Sequence, residues 1–404
     1  MNSRQVANPT DTSATTQSFA EGRPIAVVGG SAAGLYTASL LAKGGRSVRV
    51  YERAERLDPT PRTLIVTQRM REMLGATVDR CIVNEINRFE LFTDGRSATV
   101  PLNSPDLIIE RSRLIRDLAD EAQERGVQLE MGRKFISLSS GARGIDLTVE
   151  RTSTAASERF SAEAVIGADG AQSAVAQAAG WPRQPLVPLI QALVQIPSGM
   201  PRDTVRVWFI PDDTPYFYWL IPESADRGVL GLIGVEGQET RRALDRFMAK
   251  RQFTPLAFQG ARIPVYNGWV PVERRLGAGS VYLVGDAAGQ VKVSTVGGIV
   301  TGFRGALGVS EAILNGGRSP ELRSLRRELD LHLLIRRSIH RFQQADYSRL
   351  VDWMNDAMRK SLSSVTRDEA ARVLWHICRN QPRLLLIGLR GLLTRDILSP
   401  STRP

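Results

Sequence analysis

The feature that most constrains this 404-residue chain is a glycine-rich loop between an apolar strand and a helix. The apolar run at residues 25–28 leads into Gly29-Gly30-Ser31-Ala32-Ala33-Gly34, and an Ala- and Leu-rich stretch follows as far as Lys43. A second apolar strand then ends at Glu52, 23 residues after Gly29. A strand, a tight turn, a helix and a second strand in this order predict a parallel βαβ unit.

The residue types in this loop suit a phosphate ligand. Gly29 permits the sharp turn, and the small residues after it let backbone N–H groups approach a pyrophosphate at the positive end of the helix. Gly34 lets the helix pack closely on the strand, and Glu52 can bind a ribose hydroxyl. Ser31 replaces the middle glycine of the usual G-x-G-x-x-G pattern. The loop predicts a dinucleotide site, and the alternative is a tight strand-to-helix turn without a ligand.

Two later segments each place an aspartate where a strand runs into a turn. One contains Asp169 and the other contains Asp286, which is followed by Gly297-Gly298 and a helix-like stretch at residues 299–314. A carboxylate at a strand end, followed by glycines that open a helix, can hold a polyol and a flavin ring against backbone N–H groups. Taken alone, either segment is more typical of a plain turn.

In this order, the three elements resemble the flavoprotein hydroxylase superfamily, whose fold is like that of para-hydroxybenzoate hydroxylase. Within that superfamily, the chain is most similar to the geranylgeranyl reductase family. The similarity lies in residues 285–292 with 297–299, in residues 219–222, and in the tail segment at 379–386. It covers roughly residues 25–393 and implies an FAD-dependent oxidoreductase.

The resemblance implies that FAD is held by Gly29, Gly30, Ser31, Ala33, Gly34, Glu52, Arg53, Arg111, Asp286, Gly297, Gly298 and Ile299. In it, Arg111 contacts the flavin, Asp286 holds the ribityl chain, and the backbone N–H groups of residues 297–299 meet the pyrimidine edge of the isoalloxazine. Asp169 is expected to support the FAD domain rather than to touch the substrate. No metal ligand is indicated, and the catalytic acid or base stays unassigned.

The chain exceeds the ~250–300 residues that one core usually serves, so several structural units are expected. The predicted fold class is α/β, with a discontinuous Rossmann-like FAD-binding domain at residues 23–183 and 273–317. An antiparallel β-sheet at residues 184–272 is the predicted substrate domain. A basic helical segment follows at residues 318–404, and residues 1–22, rich in Ser, Thr and Gln, are predicted to be a disordered tail.

The aromatic residues of the middle region indicate a substrate cavity. Phe217 and Trp219 alternate with Tyr218 on one predicted strand, so the first two share a face and Tyr218 points the other way. We expect Phe217 and Trp219 to line a cavity opposite the flavin and to contact an apolar substrate there. The alternative is that they belong to the core of an aromatic sheet.

Several reactions are compatible with the sequence. The resemblance favours reduction of C=C bonds in a prenyl or isoprenoid chain. Many geranylgeranyl reductases carry a Cys-Gly-Gly-like segment where this chain has residues 61–67, which contain no cysteine. This departure leaves an FAD-dependent monooxygenase, a hydroxylase or epoxidase, as the alternative. A flavin-dependent halogenase or a non-catalytic maturation partner ranks third, since the halogenases need a lysine that residues 44–133 lack.

Charge is concentrated near the C-terminus. The net charge is +11, and residues 318–404 hold 17 Lys or Arg against 9 Asp or Glu, a net +8. Such a segment can lie on an anionic membrane surface, or it can pack as a helical lid on the flavin domains. All three histidines also lie there, so a histidine-based triad elsewhere would have to borrow one from this segment. Nucleic-acid binding is not expected, because no recognised motif accompanies the charge.

The expected partners follow from the same features. The substrate is a hydrophobic small molecule. No second glycine-rich loop is visible, so the electron donor is either NAD(P)H that binds transiently or ferredoxin or another reductase. No apolar run approaches the ~18–20 residues that span a bilayer. The expected location is the cytoplasm, with peripheral association at the inner face of the membrane as an addition.

Overall fold

A computed structural model of the protein describes residues 23–384 and residue 388. Within this part the strands are β1 Ile25–Val28, β2 Val48–Glu52, β3 Thr63–Val66, β4 Ile82–Thr93, β5 Arg96–Glu110, β6 Gln128–Met131, β7 Arg133–Gly141, β8 Gly144–Arg151, β9 Ser157–Ala162, β10 Ala164–Gly167, β11 Leu186–Gln195, β12 Thr204–Trp208, β13 Tyr218–Pro222, β14 Arg227–Ile233, β15 Thr254–Pro264, β16 Glu273–Leu276 and β17 Gly279–Leu283. The helices are α1 Ala32–Lys43, α2 Arg69–Leu74, α3 Ala76–Asp79, α4 Arg111–Glu124, α5 Ala174–Ala178, α6 Gly237–Arg251, α7 Ile299–Leu314, α8 Pro320–Ile339, α9 Gln344–Asp352, α10 Asp356–Ser363 and α11 Ala370–Asn380.

The glycine-rich loop belongs to a six-stranded sheet with the order β16-β17-β10-β1-β2-β6. Strands β17, β10, β1, β2 and β6 are parallel, and β16 pairs antiparallel at the edge. Helix α1 packs against α4 and α7 on one face, and β8 of the three-stranded sheet β7-β8-β9 packs against β10 and β17. Because both faces are covered, β1, β10 and β17 are wholly buried, as parallel strands usually are. The predicted Rossmann-like layer is confirmed.

A second sheet has eight strands in the order β15-β11-β14-β13-β12-β4-β5-β3. Neighbouring strands pair antiparallel, except for the parallel pair of β12 with β4. Strands β3, β4 and β5 come from residues 63–110, which the sequence analysis assigns to the FAD-binding domain. The eight-stranded sheet therefore crosses the predicted boundary. The β4–β5 hairpin continues this sheet through the pairing of β4 with β12, two segments more than 100 residues apart, which no local sequence signal reveals.

The two faces of the eight-stranded sheet have different neighbours. Helix α6 covers one face, where the ring of Tyr218 stacks on Phe247 with centroids 4.2 Å apart. Trp219 projects from the opposite face, into an apolar cluster with Ile86, Val207 and Ile233. The predicted alternation along this strand therefore describes its two faces correctly.

The described part of the C-terminal segment is helical and packs on α7 and on the eight-stranded sheet. Helix α8 packs against α7, and helices α9 and α10 pack against β5. Met354 and Met358 join Ala98 and Val100 of β5 in one apolar cluster. No helix within residues 23–384 is both long and apolar enough to cross a bilayer. The predicted disordered tail, and most of the segment after residue 384, lie outside the described residues.

Candidate active site

The loop at residues 29–34 has the geometry of a phosphate cradle. Gly29 has a φ of +106°, and a Cβ on it would lie 2.5 Å from the carbonyl oxygen of Ala168, the residue after β10, so only glycine fits. Ser31 caps α1 by accepting a hydrogen bond from the backbone N–H of Gly34 at 3.2 Å. Glu52 accepts one from the N–H of Gly30 at 2.7 Å. The positive end of α1 therefore opens onto a tightly held loop of small residues.

A second element faces this loop across the same cavity. The chain after β17 makes a tight turn at Gly285–Ala288, and Gly285 donates a hydrogen bond to Gln290 Oε1 at 2.7 Å. Asp286, in that turn, lines the cavity. Burial raises the pKa of Asp286, and the charges of Arg62 and Arg111 oppose this rise. A carboxylate is thus set beside two guanidinium groups in a buried place.

One residue, Glu110, holds both of these arginines in position. It precedes α4 and accepts hydrogen bonds from the backbone N–H groups of Ser112 at 3.0 Å and Arg113 at 2.9 Å. It also accepts one from the N–H of Arg62 at 2.9 Å, while Arg111 donates its own N–H to the carbonyl of Arg62. Arg111 is predicted from the sequence, whereas Arg62 is not, because it lies on a loop without a motif.

The segment between the turn and α7 is a strained loop. Val296 has a φ of +55°, an uncommon conformation for a β-branched residue and one that often marks a functional site. The backbone N–H of Lys292 donates to the carbonyl of Gly297 at 3.1 Å, which closes the loop on itself. A Cβ on Gly298 would lie 3.3 Å from Asp286 Oδ1. The start of α7 and Asp286 are therefore neighbours.

Asp169 stabilises the framework beside this site. Its carboxylate accepts hydrogen bonds from Ser173 Oγ at 2.5 Å and from the backbone N–H groups of Ala174 at 2.7 Å and Val175 at 3.2 Å. The N–H groups of Ala174 and Val175 are the first backbone donors of α5, so Asp169 supplies the hydrogen-bond acceptors that they would otherwise lack. It does not belong to the lining of the cavity.

A cavity of about 660 Å³ extends from this loop to the eight-stranded sheet. The side chains that the sheet contributes are mostly apolar: Leu189, Val205, Val207, Phe217, Trp219, Ile221, Ile233 and Ile263. The rings of Phe217 and Trp219 meet edge to face with centroids 6.1 Å apart. The part of the cavity walled by the sheet suits an apolar molecule rather than a small charged one.

The C-terminal segment supplies another wall of the cavity, which the sequence analysis does not assign. Its lining residues are His332, Ile335, Arg336, Ile339, Tyr347, Leu350, Arg367, Ala370 and Val373. The guanidinium of Arg336 lies 3.8 Å from the ring centre of Tyr216 and donates to the carbonyl of Pro215 at 2.9 Å. The described helices therefore pack against the cavity, as expected if the C-terminal segment forms a helical lid. One feature of the sequence could have indicated this wall: all three histidines lie in the C-terminal segment.

Most of the predicted site residues come together here. Those that line the cavity are Ser31, Ala33, Arg111, Asp286, Gly297, Gly298 and Ile299, with Phe217 and Trp219 on the far wall. Gly29, Gly30, Gly34 and Glu52 form or brace the loop beside it. Arg53 is exposed and is not part of the lining.

The residues present fit a bound dinucleotide. Arg62 Nε is buried in the cavity wall without a hydrogen-bond partner, next to Arg111 and Asp286. Unpaired buried donors are costly, and a polar ligand with phosphate or hydroxyl groups would supply acceptors near this one. A helix N-terminus, glycines with no room for a side chain and a buried carboxylate occur in one continuous space.

Comparison with known families agrees with this geometry. The sequence profile of a family described as "FAD binding domain" matches residues 23–315. The chain belongs to this family. FAD is accordingly the cofactor of this flavoprotein. The predicted FAD cofactor is confirmed.

Individual relatives of the flavoprotein point the same way. It is 28% identical over 250 residues to digeranylgeranylglycerophospholipid reductase 1 of Methanothermobacter thermautotrophicus. The alignment covers 57% of this chain and 62% of the relative, so it spans about three fifths of the relative's length. These findings confirm the predicted resemblance to geranylgeranyl reductases.

Solved structures share the fold across different chemistries. A geranylgeranyl bacteriochlorophyll reductase-like protein from Thermoplasma acidophilum superposes with a TM-score of 0.76 at 18% identity, covering 92% of this chain and 99% of that one. The p-nitrophenol 4-monooxygenase of Pseudomonas putida superposes with a TM-score of 0.60 at 17% identity, covering 93% and 99%. The fold is therefore common to proteins described as reductase-like and as monooxygenases.

Proposed function

We propose that this flavoprotein reduces isolated C=C bonds in a prenyl or similar apolar chain. The observation that carries the proposal is the large apolar cavity, which opens directly onto the residues of the FAD cradle. The resemblance to a protein described as a digeranylgeranylglycerophospholipid reductase supports the same substrate class. A long hydrocarbon gains about 25 cal/mol for each Å² of apolar surface that such walls remove from water.

We infer the following roles around the cofactor. The N-terminus of α1 with Gly29 and Ser31 would hold the pyrophosphate, Glu52 a ribose hydroxyl, and Asp286 the ribityl hydroxyls. The backbone N–H groups at residues 297–299 would meet the pyrimidine edge of the ring. When bound and reduced, FAD supplies the hydride that one carbon of the double bond receives.

The protein's own contribution is to orient the alkene and exclude water. Phe217 and Trp219 would form the wall against which the chain packs, since both lie on the cavity face of the eight-stranded sheet. The α8 and α9 side chains close the opposite side. A dry, shaped cavity keeps water away from the reacting carbons.

The alternative is a monooxygenase, and one observation favours it. Segment 61–67, where many reductases of the family carry a cysteine, contributes Arg62, Thr63, Leu64 and Ile65 to the cavity. Neither cysteine of the chain lines the cavity, and burial raises the pKa of Cys81 to about 11, so that thiol is unreactive at neutral pH. If a thiol is required for reduction, the oxygen-dependent reaction is the better candidate.

Product analysis distinguishes the two reactions. The purified protein is reduced with dithionite without oxygen and mixed with a geranylgeranyl lipid, and the extracted lipid is analysed by mass spectrometry. The proposal predicts a product heavier by one molecule of hydrogen for each bond reduced. A lipid that changes only in air and gains an oxygen atom would support the monooxygenase instead.

We also propose that NAD(P)H, ferredoxin or another reductase supplies the electrons. A further proposal is that the protein makes peripheral contact with an anionic membrane. Trp375 of α11 is 56% exposed, and Arg379 packs over its ring at 5.4 Å. An exposed tryptophan beside basic side chains suits the lipid headgroup layer. In a sedimentation assay, anionic vesicles should bind the protein at low salt and release it at high salt. Equal recovery in the supernatant with and without vesicles would contradict this contact.

A further inference from the structure

A hydrogen-bonded series of three polar side chains runs from the cavity into the protein. Ser294, in the strained loop before α7, lies with its Oγ 2.5 Å from Nδ1 of His332 on α8. The Nε2 of His332 lies 3.1 Å from Glu328 Oε1, one helical turn earlier on α8. Ser294 and His332 line the cavity, His332 is only 3% exposed, and Glu328 lies behind it.

The partners determine where the protons lie. Burial lowers the pKa of His332, which the hydrogen bond to Glu328 only partly offsets, so the imidazole is neutral at neutral pH. Burial alone would raise the pKa of Glu328, but hydrogen bonds from His332 and from the N–H of Ala370 lower it. An ionised Glu328 accepts Nε2–H, which leaves Nδ1 as the acceptor of the Ser294 hydroxyl.

Other charges near His332 are paired with each other. Lys292, in the loop that carries Ser294, and Asp368, before α11, face the imidazole and form their own buried ion pair. Glu328 is therefore the carboxylate that stabilises a positive charge on His332. An imidazolium formed there would donate from Nδ1 to Ser294 Oγ and turn the serine hydroxyl towards the cavity.

The position of this hydrogen-bonded series, as well as its chemistry, indicates a role in the reaction. Ser294 lines the cavity three residues before Gly297, in the loop whose backbone is proposed to meet the flavin ring, so its hydroxyl is available near that ring. A second Ser–His pair, Ser361 with His376, does not line the cavity. It offers a matched comparison from the same C-terminal segment.

We propose that Ser294 is the catalytic residue that donates a proton to the substrate, and that His332 and Glu328 are positioning residues that restore it. This rests on the proposed reduction, in which the carbon that does not receive the hydride takes one proton. The O–H bond of Ser294 breaks as the new C–H bond forms. The serine oxygen then takes the Nδ1 proton of the imidazolium, which solvent had supplied, and the imidazole returns to its neutral form.

One test needs no turnover. Because the chain has three histidines, ¹⁵N-labelled imidazole signals can be assigned by replacing each in turn. The proposal expects His332 to be protonated at Nε2 and unprotonated at Nδ1 at neutral pH, and Ser294→Ala to shift its Nδ1 resonance and titration. Ser361→Ala should leave the His332 signals unchanged. A His332 that is insensitive to Ser294→Ala would overturn the proposal.

The second test follows the proton into the product. In anaerobic reactions in D₂O, the wild-type protein should place one solvent deuterium on a single face of the protonated carbon, and its rate should fall as pH rises through the His332 pKa. Ser294→Ala should keep its FAD, lose about 10²–10⁴-fold in kcat and lose this pH dependence, while Ser361→Ala behaves as wild type. Unchanged kcat and stereochemistry in Ser294→Ala would overturn the proton role and leave reduction standing. A wild-type protein that reduces no alkene would overturn the proposed function, and this role with it.

Discussion

Lys292 and Asp368 form an ion pair in which the side chains are only 5% and 3% exposed. The pair joins the loop that carries Ser294 to the turn before α11, and the hydroxyl of Thr67 also donates to Asp368. Three parts of the chain that are distant in sequence therefore meet at one buried charge. The C-terminal wall of the cavity depends on this junction.

Removing the carboxylate should be costly. Asp368→Asn leaves the Lys292 ammonium buried without a counter-charge, and such losses cost about 3–5 kcal/mol of stability. The measurement is urea-induced unfolding. Asp245→Asn is the matched control, because its pair with Arg241 lies on the surface and should be worth about 0.5 kcal/mol or less. Equal effects of the two substitutions would show that the buried pair does not stabilise the fold.

The same pair predicts a dependence on acid. Burial alone would raise the pKa of Asp368, but the charge of Lys292 and the hydrogen bonds it receives lower it to about 2. The pKa of an unfolded aspartate is about 3.9, so the contribution of Asp368 is complete above that pH and is lost as pH falls towards 2. As pH falls through this range, the free energy of unfolding of the wild type should decrease by on the order of 2 kcal/mol more than that of Asp368→Asn. Parallel acid profiles would contradict this.

Cofactor binding should depend on Gly29, where the backbone that follows β10 leaves no room for a side chain. Gly29→Ala would drive a Cβ against the carbonyl oxygen of Ala168 and move the loop away from the pyrophosphate, so FAD should be lost. Gly45→Ala is the control for backbone strain, since Gly45 has a φ of +78° but no atom within 4 Å of the added Cβ. It should cost roughly 1–2 kcal/mol of stability and keep FAD. The readout is the flavin absorbance released on denaturation; a Gly29→Ala protein that retains FAD would refute the cradle.

The elements that can be predicted from the sequence are those set by local geometry. Gly29, Gly34 and Glu52 belong to one short βαβ unit, so their spacing alone indicates the cradle. The alternation of Tyr218 and Trp219 likewise follows from the strand itself.

The rest depends on long-range packing. The pairing of β4 with β12 joins residues 82–93 to 204–208, and no local pattern specifies it. Ser294 and His332 are 38 residues apart and meet only because α8 packs against α7. For the same reason the place of His332 in the cavity wall could not be predicted from the sequence.

The apolar wall gives a prediction about substrate rather than cofactor. Trp219→Ala should keep FAD and lower kcat/KM by roughly tenfold or more, because about 1.4 kcal/mol of lost contact corresponds to a factor of ten. Tyr218→Phe, on the opposite face of β13, removes a hydroxyl that donates to Asp213 at 3.0 Å. It should cost about 1 kcal/mol of stability and leave turnover unchanged. If Trp219→Ala strips the flavin but spares the chemistry of reconstituted protein, the wall does not contact the substrate.

The central claim is that the reduced flavoprotein passes its electrons to an alkene without oxygen. The most direct measurement is a single turnover in an anaerobic stopped-flow cell, in which the reduced protein is mixed with a prenyl lipid and the visible band of oxidised FAD is followed. If the claim is correct, this band returns in step with the saturated product, at a rate that rises with lipid concentration and falls in Trp219→Ala. A flavin that stays reduced in the presence of the lipid, and is oxidised only when oxygen is admitted, would contradict it.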